Sequence, residues 1–148
     1  MATAPEPTIG STVHISISVP ATEDQAGYEA QSFTKIGKLL SVPEFGNDSE
    51  AGTVTLLETG VTQHYNGTKI VAPMTLPWVY DASDAGQDLV RANVNSATEV
   101  TIRVTDIDGR DAYIQGILAN LHDIERTPNS YRGETCEFRS ISVITVVE

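Results

Sequence analysis

Apolar and polar residues alternate with a period of two along much of this chain. Val13, Ile15, Ile17 and Val19 alternate with Thr12, His14, Ser16 and Ser18, and Pro20 follows. That pattern predicts a strand with one dry and one wet face, ended by the proline. Residues 21–31 are acidic and irregular around Gly27, and read as a loop with a short turn. Residues 33–45 form a second extended segment, broken by Gly37 and closed by Pro43, before the turn cluster Gly46-Asn47-Asp48-Ser49.

Residues 53–72 read as a long hairpin. Asn66-Gly67 is a strong short-range marker of a type I′ turn, whose central residues need positive φ. The arms are polar, with Thr59, Thr62, Gln63, His64 and Tyr65 on one side and Thr68 and Lys69 on the other. A ribbon this polar is marginal alone in water and needs a surface to lie against.

Met74, Leu76, Trp78 and Tyr80 continue the alternation, and Pro77 marks an edge strand or a bulge because it cannot donate to a ladder. Asp84 and Gln87 match a helix capping box, with Ala85, Leu89 and Ala92 on one face of the helix that follows and Val90 and Val94 nearly opposite. Val100, Ile102 and Val104 predict another strand, Asp106-Ile107-Asp108-Gly109 a turn, and residues 112–122 its antiparallel return. Residues 126–133 read as a loop and 134–147 as a final strand. Its apolar parity switches from Cys136 and Phe138 to Ile141, Val143 and Val147, with Ile144 and Val146 apolar on the other side, which implies a bulge or two buried faces. The fold class expected is mainly β, an antiparallel sandwich or half-barrel with one flanking helix. An arm over residues 1–10 precedes a single domain over 11–148.

Composition narrows the function. The chain has 148 residues, enough for one cored domain, and nine basic residues against twenty acidic ones give a net charge of -11. The basic residues are scattered, which argues against a phosphate-binding surface. The longest apolar run falls far short of a membrane span, residues 1–10 have no signal-peptide pattern, and Cys136 is the only cysteine.

Candidate chemistry is sparse. His14, His64 and His122 sit on separate segments without ligand-spaced partners. No nucleophile elbow, P-loop or dinucleotide fingerprint occurs. The run Asp106-Ile107-Asp108-Gly109-Arg110-Asp111 begins like a calcium loop, but it lacks the later bidentate glutamate and places Arg110 inside the would-be site. A hairpin turn explains it better. No enzyme, cofactor or metal is expected.

Several segments, taken in order, resemble the major tail tube proteins of long-tailed bacteriophages. They are Ser32-Phe33-Thr34-Lys35-Ile36-Gly37, Val42-Pro43-Glu44-Phe45-Gly46, Thr59-Gly60-Val61-Thr62-Gln63, Asn66-Gly67-Thr68, Asp81-Ala82-Ser83-Asp84-Ala85-Gly86-Gln87 with Leu89, and Ile107-Asp108-Gly109. Pro77 and the proline-containing loop over 126–133 depart from the family's pattern. The resemblance implies a virion tail protein made in the bacterial cytoplasm. Its subunits would close six-fold rings around a continuous inter-subunit β-barrel, and the rings would stack into a hollow tube. Genome DNA would pass through as transient cargo, tape-measure and tail-terminator proteins would be partners, and no membrane binding is implied. Thr59, Gly60, Val61, Thr62, Gln63, His64, Tyr65, Asn66, Gly67, Thr68, Lys69 and Ile70 would form the inter-ring hairpin, and Ala85, Leu89 and Ala92 would anchor the helix. Two other readings fit the same β pattern: a tube protein of a contractile tail or secretion apparatus, and a carbohydrate- or receptor-binding β-sandwich.

Overall fold

The computed structural model describes residues 4–5, 9–142 and 144–147. The arm expected over 1–10 therefore falls mostly outside the described residues, as does Val143. Elements follow the order β1 (Thr12–Ser16), α1 (Gln25–Glu29), β2 (Thr34–Lys35), β3 (Asp48–Thr55), β4 (Thr62–Ile70), β5 (Met74–Val79), α2 (Ala85–Asn93), β6 (Glu99–Thr105), β7 (Asp111–Asp123), β8 (Gly133–Ser140) and β9 (Thr145–Val147). The fold is mainly β and antiparallel, as expected, with two short helices instead of one.

The main sheet runs β2-β1-β6-β7-β8-β5, with β9 also paired to β7. Its inward positions are those the alternation picked out. Val13 and Ile15 of β1, Val100, Ile102 and Val104 of β6, and Met74, Leu76 and Trp78 of β5 are all buried. Ile114 and Leu118 of β7 and Cys136 and Phe138 of β8 complete the same cluster. Burying an aliphatic or aromatic side chain of this size contributes about 1.5–3 kcal/mol, so this stripe holds the sheet curved around it.

β5 is an edge of the sheet, as Pro77 predicts. The opposite edge, β2, does not stay open. Ile36 donates its N–H to the Val13 carbonyl, and Lys38 then adopts φ 56, which turns the chain toward β5. Leu39 bridges Trp78, Leu40 donates to the Pro77 carbonyl at 3.0 Å, and Val79 donates to the Lys38 carbonyl at 2.9 Å. The sheet thus closes on itself through one short bridge. The missing N–H of Pro77 falls on that side and not in the β5–β8 ladder.

Three expectations change here. Residues 134–147 are two strands. β8 pairs with the second half of β7 and β9 with its start, and the connection between Ser140 and Thr145 holds two more residues than the facing stretch of β7. Ile144 is buried there while Ile141 is exposed, so Ile141 does not join the core. The irregular segment over 21–31 contains α1, capped by Asp24, whose carboxylate accepts from the Gly27 N–H at 2.9 Å. α1 lays Tyr28 flat on Tyr113 with ring centroids 4.8 Å apart, covering the outer face of β7.

Candidate assembly surface

The hairpin is present, but its turn is elsewhere. β3 and β4 pair only with each other, and the turn occupies residues 56–61, where Gly60 takes φ 68 and donates to the Leu56 carbonyl at 2.8 Å. Asn66 and Gly67 lie inside β4, and neither has positive φ. The register jumps between the Ser49–Lys69 and Ala51–Asn66 pairs, so Gly67 and Thr68 together oppose Glu50. Asn66-Gly67 therefore leads into a β-bulge formed by Gly67 and Thr68. The same freedom from Cβ crowding suits glycine to both roles, and local sequence does not separate them.

Every residue of β4 is exposed, and Gly52 is the one residue of β3 that is not. The ribbon is two-sided all the same. Gly52 pairs with Tyr65 and Val54 with Gln63 on one face, while Thr53–His64 and Thr55–Thr62 pairs fill the other. The Tyr65 ring lies directly on Gly52, where an added Cβ would stand 2.2 Å from its Cζ. With Val54, Leu56, Leu57 and Val61 all exposed, that face presents an apolar strip to solvent. Leu57, at the tip, is 101% exposed. Of the hairpin residues expected from the sequence, Thr59, Gly60 and Val61 lie in the turn. Thr62, Gln63, His64, Tyr65, Asn66, Gly67, Thr68, Lys69 and Ile70 make up β4.

α2 begins as the capping box predicts, with the Asp84 carboxylate accepting from the Gln87 N–H at 2.9 Å. Its buried side is different from the expected one. Gly86, Gln87 and Val90 face the interior and Leu89 is half-buried, whereas Ala85 and Ala92 are exposed. The reason is a close approach of helix to backbone, because a Cβ on Gly86 would stand 2.2 Å from the Lys35 carbonyl oxygen. Glycine thus brings the helix N-terminus onto residues 35–37, and that contact sets its rotation. Asp84 also accepts from the Gly37 N–H at 3.1 Å.

Fully buried Gln87 is the polar hub of this region. Its amide donates to the Gly37 and Val79 carbonyls at 2.9 and 3.0 Å. Its oxygen accepts from the Asp81 N–H at 2.9 Å and from Arg91 at 2.8 Å. All four hydrogen-bonding positions of the amide are used. Arg91 continues the network with a 2.6 Å bond to buried Glu134, which raises the arginine's pKa above its ordinary value. Trp78 Nε1 donates to the same carboxylate at 3.3 Å, and Tyr80 is flanked by Arg91 and Arg132 at 4.7 and 3.7 Å from its centroid. Periodicity could not find this network, because its members come from α2, β5 and β8.

The residues considered for chemistry stay apart. His14 is on β1, His64 on β4 and His122 on β7. Burial and the hydrogen-bonded surroundings of Cys136 leave it inert, with desolvation pushing its thiol up to about 11. Asp106 and Gly109 close a turn through a 3.0 Å backbone bond, and Gly109 takes φ 92. Among the described residues no group of three or more His, Cys, Asp or Glu converges as a metal site.

No protein-family model matches the chain, and no curated protein matches it in sequence. Solved structures share its fold along nearly the whole length. A chain in the sheath/tube terminator of an extracellular contractile injection system, PVC, is 12% identical with TM-score 0.69, each chain covering 100% of the other. A chain of the anti-feeding prophage tube-terminating cap is 12% identical with TM-score 0.65, over 99% of this chain and 93% of its own. A chain in the tail of an empty GTA particle with C6 symmetry is 12% identical with TM-score 0.62, over 92% and 96%. The protein thus has the tail-tube-like fold of these assemblies.

Proposed function

We propose that this protein is a non-enzymatic structural subunit that closes into a ring with copies of itself on a hollow, tail-like tube. The observation that carries the reading is the β3–β4 ribbon. It stands outside a sheet that already has a complete core, with Val54, Leu56, Leu57, Val61 and Tyr65 exposed. Such a strip is unfavourable in water and marks a contact made on assembly. Whole-length likeness to tube and terminator structures supports the same reading.

A tube or terminator of a contractile injection system is favoured over the tail tube of a long-tailed phage. The structures that share its fold include a terminator and a terminating cap of such systems, beside a GTA tail. Six-fold rings fit the C6 symmetry of that tail. The remaining partners are other tail-like components, a tape-measure protein among them, and the location is the assembled particle. With a net charge of -11, a bore lined by some of these acids would repel phosphate and let DNA slide as passing cargo.

Negative-stain microscopy of concentrated protein tests this directly. Rings of six with a central hole are the expected result. Rings that do not stack would identify a terminator, and long tubes a tube subunit. A monodisperse monomer at every concentration would overturn the proposal.

A further inference from the structure

Copies that each carry a charge of -11 repel one another, so ring closure needs cations placed where a neighbour offers acids. At least four of the nine basic side chains are ion-paired within the chain. Lys38 pairs with Asp81, Arg91 with Asp88 and Glu134, Arg126 with Asp123, and Arg139 with Glu137. Lys35 and Arg103 form no ion pair among the described residues, yet they are neighbours in space. Lys35 of β2 is registered opposite His14 of β1, and His14 opposite Arg103 of β6. The three form one row across the outer face of the sheet. Two polar atoms in the row, His14 Nδ1 and Arg103 Nε, are buried without a hydrogen-bond partner among the described residues. The guanidinium of Arg103 is held in place over the Phe33 ring at 4.7 Å.

The ribbon supplies the complementary feature. Asp48 and Glu50 share the parity of Gly52 and Val54 on β3, so both carboxylates stand on the apolar face, at its base. Both are exposed, and neither has an ion pair among the described residues. We infer that the Lys35–His14–Arg103 row is the receiving site for the ribbon of a second copy, with Asp48 and Glu50 as the groups it binds. This rests on the reading of the chain as a ring-forming subunit. On β3, Val54 follows Glu50 by four residues, about 13 Å along the strand, and beside the row Gly10 lies in the turn that leads into β1. At Gly10 the exposed side chains of Ile9 and Ile107 offer apolar surface for the strip that follows the acids. A head-to-tail contact of this kind, ribbon of one copy on row of the next, closes a ring when its rotation closes.

Charge reversal tests the pairing. Association of the parent is measured by analytical ultracentrifugation, beside a K35E/R103E variant and a D48K/E50K variant. Each variant alone should associate at least tenfold more weakly, and an equimolar mixture of the two should recover the parent's association. Raising salt from 50 mM to 500 mM should weaken the parent and the mixture alike. Because Arg103 packs against Phe33, K35E alone serves as the fold-neutral variant, and circular dichroism confirms its structure. Unchanged association in K35E and D48K/E50K, or a mixture that fails to recover, would overturn the pairing while leaving the ring reading intact. A parent that never associates would overturn both.

Discussion

Leu39 and Trp78 form an isolated antiparallel bridge, and through it the two edges of the main sheet meet. Edges left open invite pairing with other chains, and here the fold covers its own edge with three residues of backbone. The bridge depends on the Leu40 N–H, which donates to Pro77. Leu40→Pro should therefore cost about 2 kcal/mol in urea denaturation. Leu40→Ala, which keeps the N–H and trims a side chain that is 48% exposed, should cost far less.

The rotation of α2 is set by glycine. Gly86→Ala should destabilise the protein by about 3 kcal/mol, since the clash is with the Lys35 backbone and no rotamer relieves it. Ala85→Ser and Ala92→Ser, on the exposed side, should each change stability by about 0.5 kcal/mol or less. Equal effects at the three positions would contradict the observed helix face.

Arg91 and Glu134 form a pair whose acid is buried and whose arginine is only partly exposed. Arg91→Ala leaves that carboxylate with Trp78 alone, and should cost about 3 kcal/mol. Arg91→Lys should restore only part of this. One ammonium cannot reach Glu134, Gln87 and Asp88 together while stacking on Tyr80.

His14 should make stability fall with acid. Burial, with Arg103 and Lys35 beside it, holds its pKa below the ordinary 6.5, and Asp111 opposes them only weakly. As pH drops below 6.5 the unfolded chain takes up the proton first, so stability declines until the folded side chain is protonated too. Thermal melts from pH 7.5 to 5 should fall less steeply for His14→Gln than for the parent.

Cys136 should resist thiol reagents in the folded protein. With a pKa of about 11, on the order of one thiol in a thousand is ionised at pH 8, and its burial blocks access as well. Labelling by a disulfide reagent should be slow until denaturant is added. Rapid labelling of the native protein would show that β8 opens readily.

Local periodicity was enough for the elements that face one core. The strands around Val13, Leu76 and Ile102 obey a period of two because one side meets the core and the other water. Asp84 and Gln87 announced the start of α2, and Asp108-Gly109 the turn between β6 and β7, because caps and turns are built from neighbours in sequence. Other features required residues far apart to meet. Tyr28 became buried only because β7 presents Tyr113 to it, and Gly86 set the helix face only because residues 35–37 arrive there.

The hairpin shows where that boundary lies. Its existence, and its need of a surface to lie against, followed from a polar stretch between turn residues, whereas its separation from the main sheet did not. The position of its turn did not, since Asn66-Gly67 serves a bulge as readily as a type I′ turn, and strand register decides between them. Its apolar face was hidden for the same reason: Tyr65 stands beside Val54 only once Gly52 and Tyr65 are in register. Sequence by itself determined a mainly β antiparallel fold with a polar hairpin, because those features depend on patterns within a few residues. Tertiary structure alone decided which surfaces the ribbon, the helix and the cationic row leave exposed, because pairing between distant strands chooses what each side chain faces.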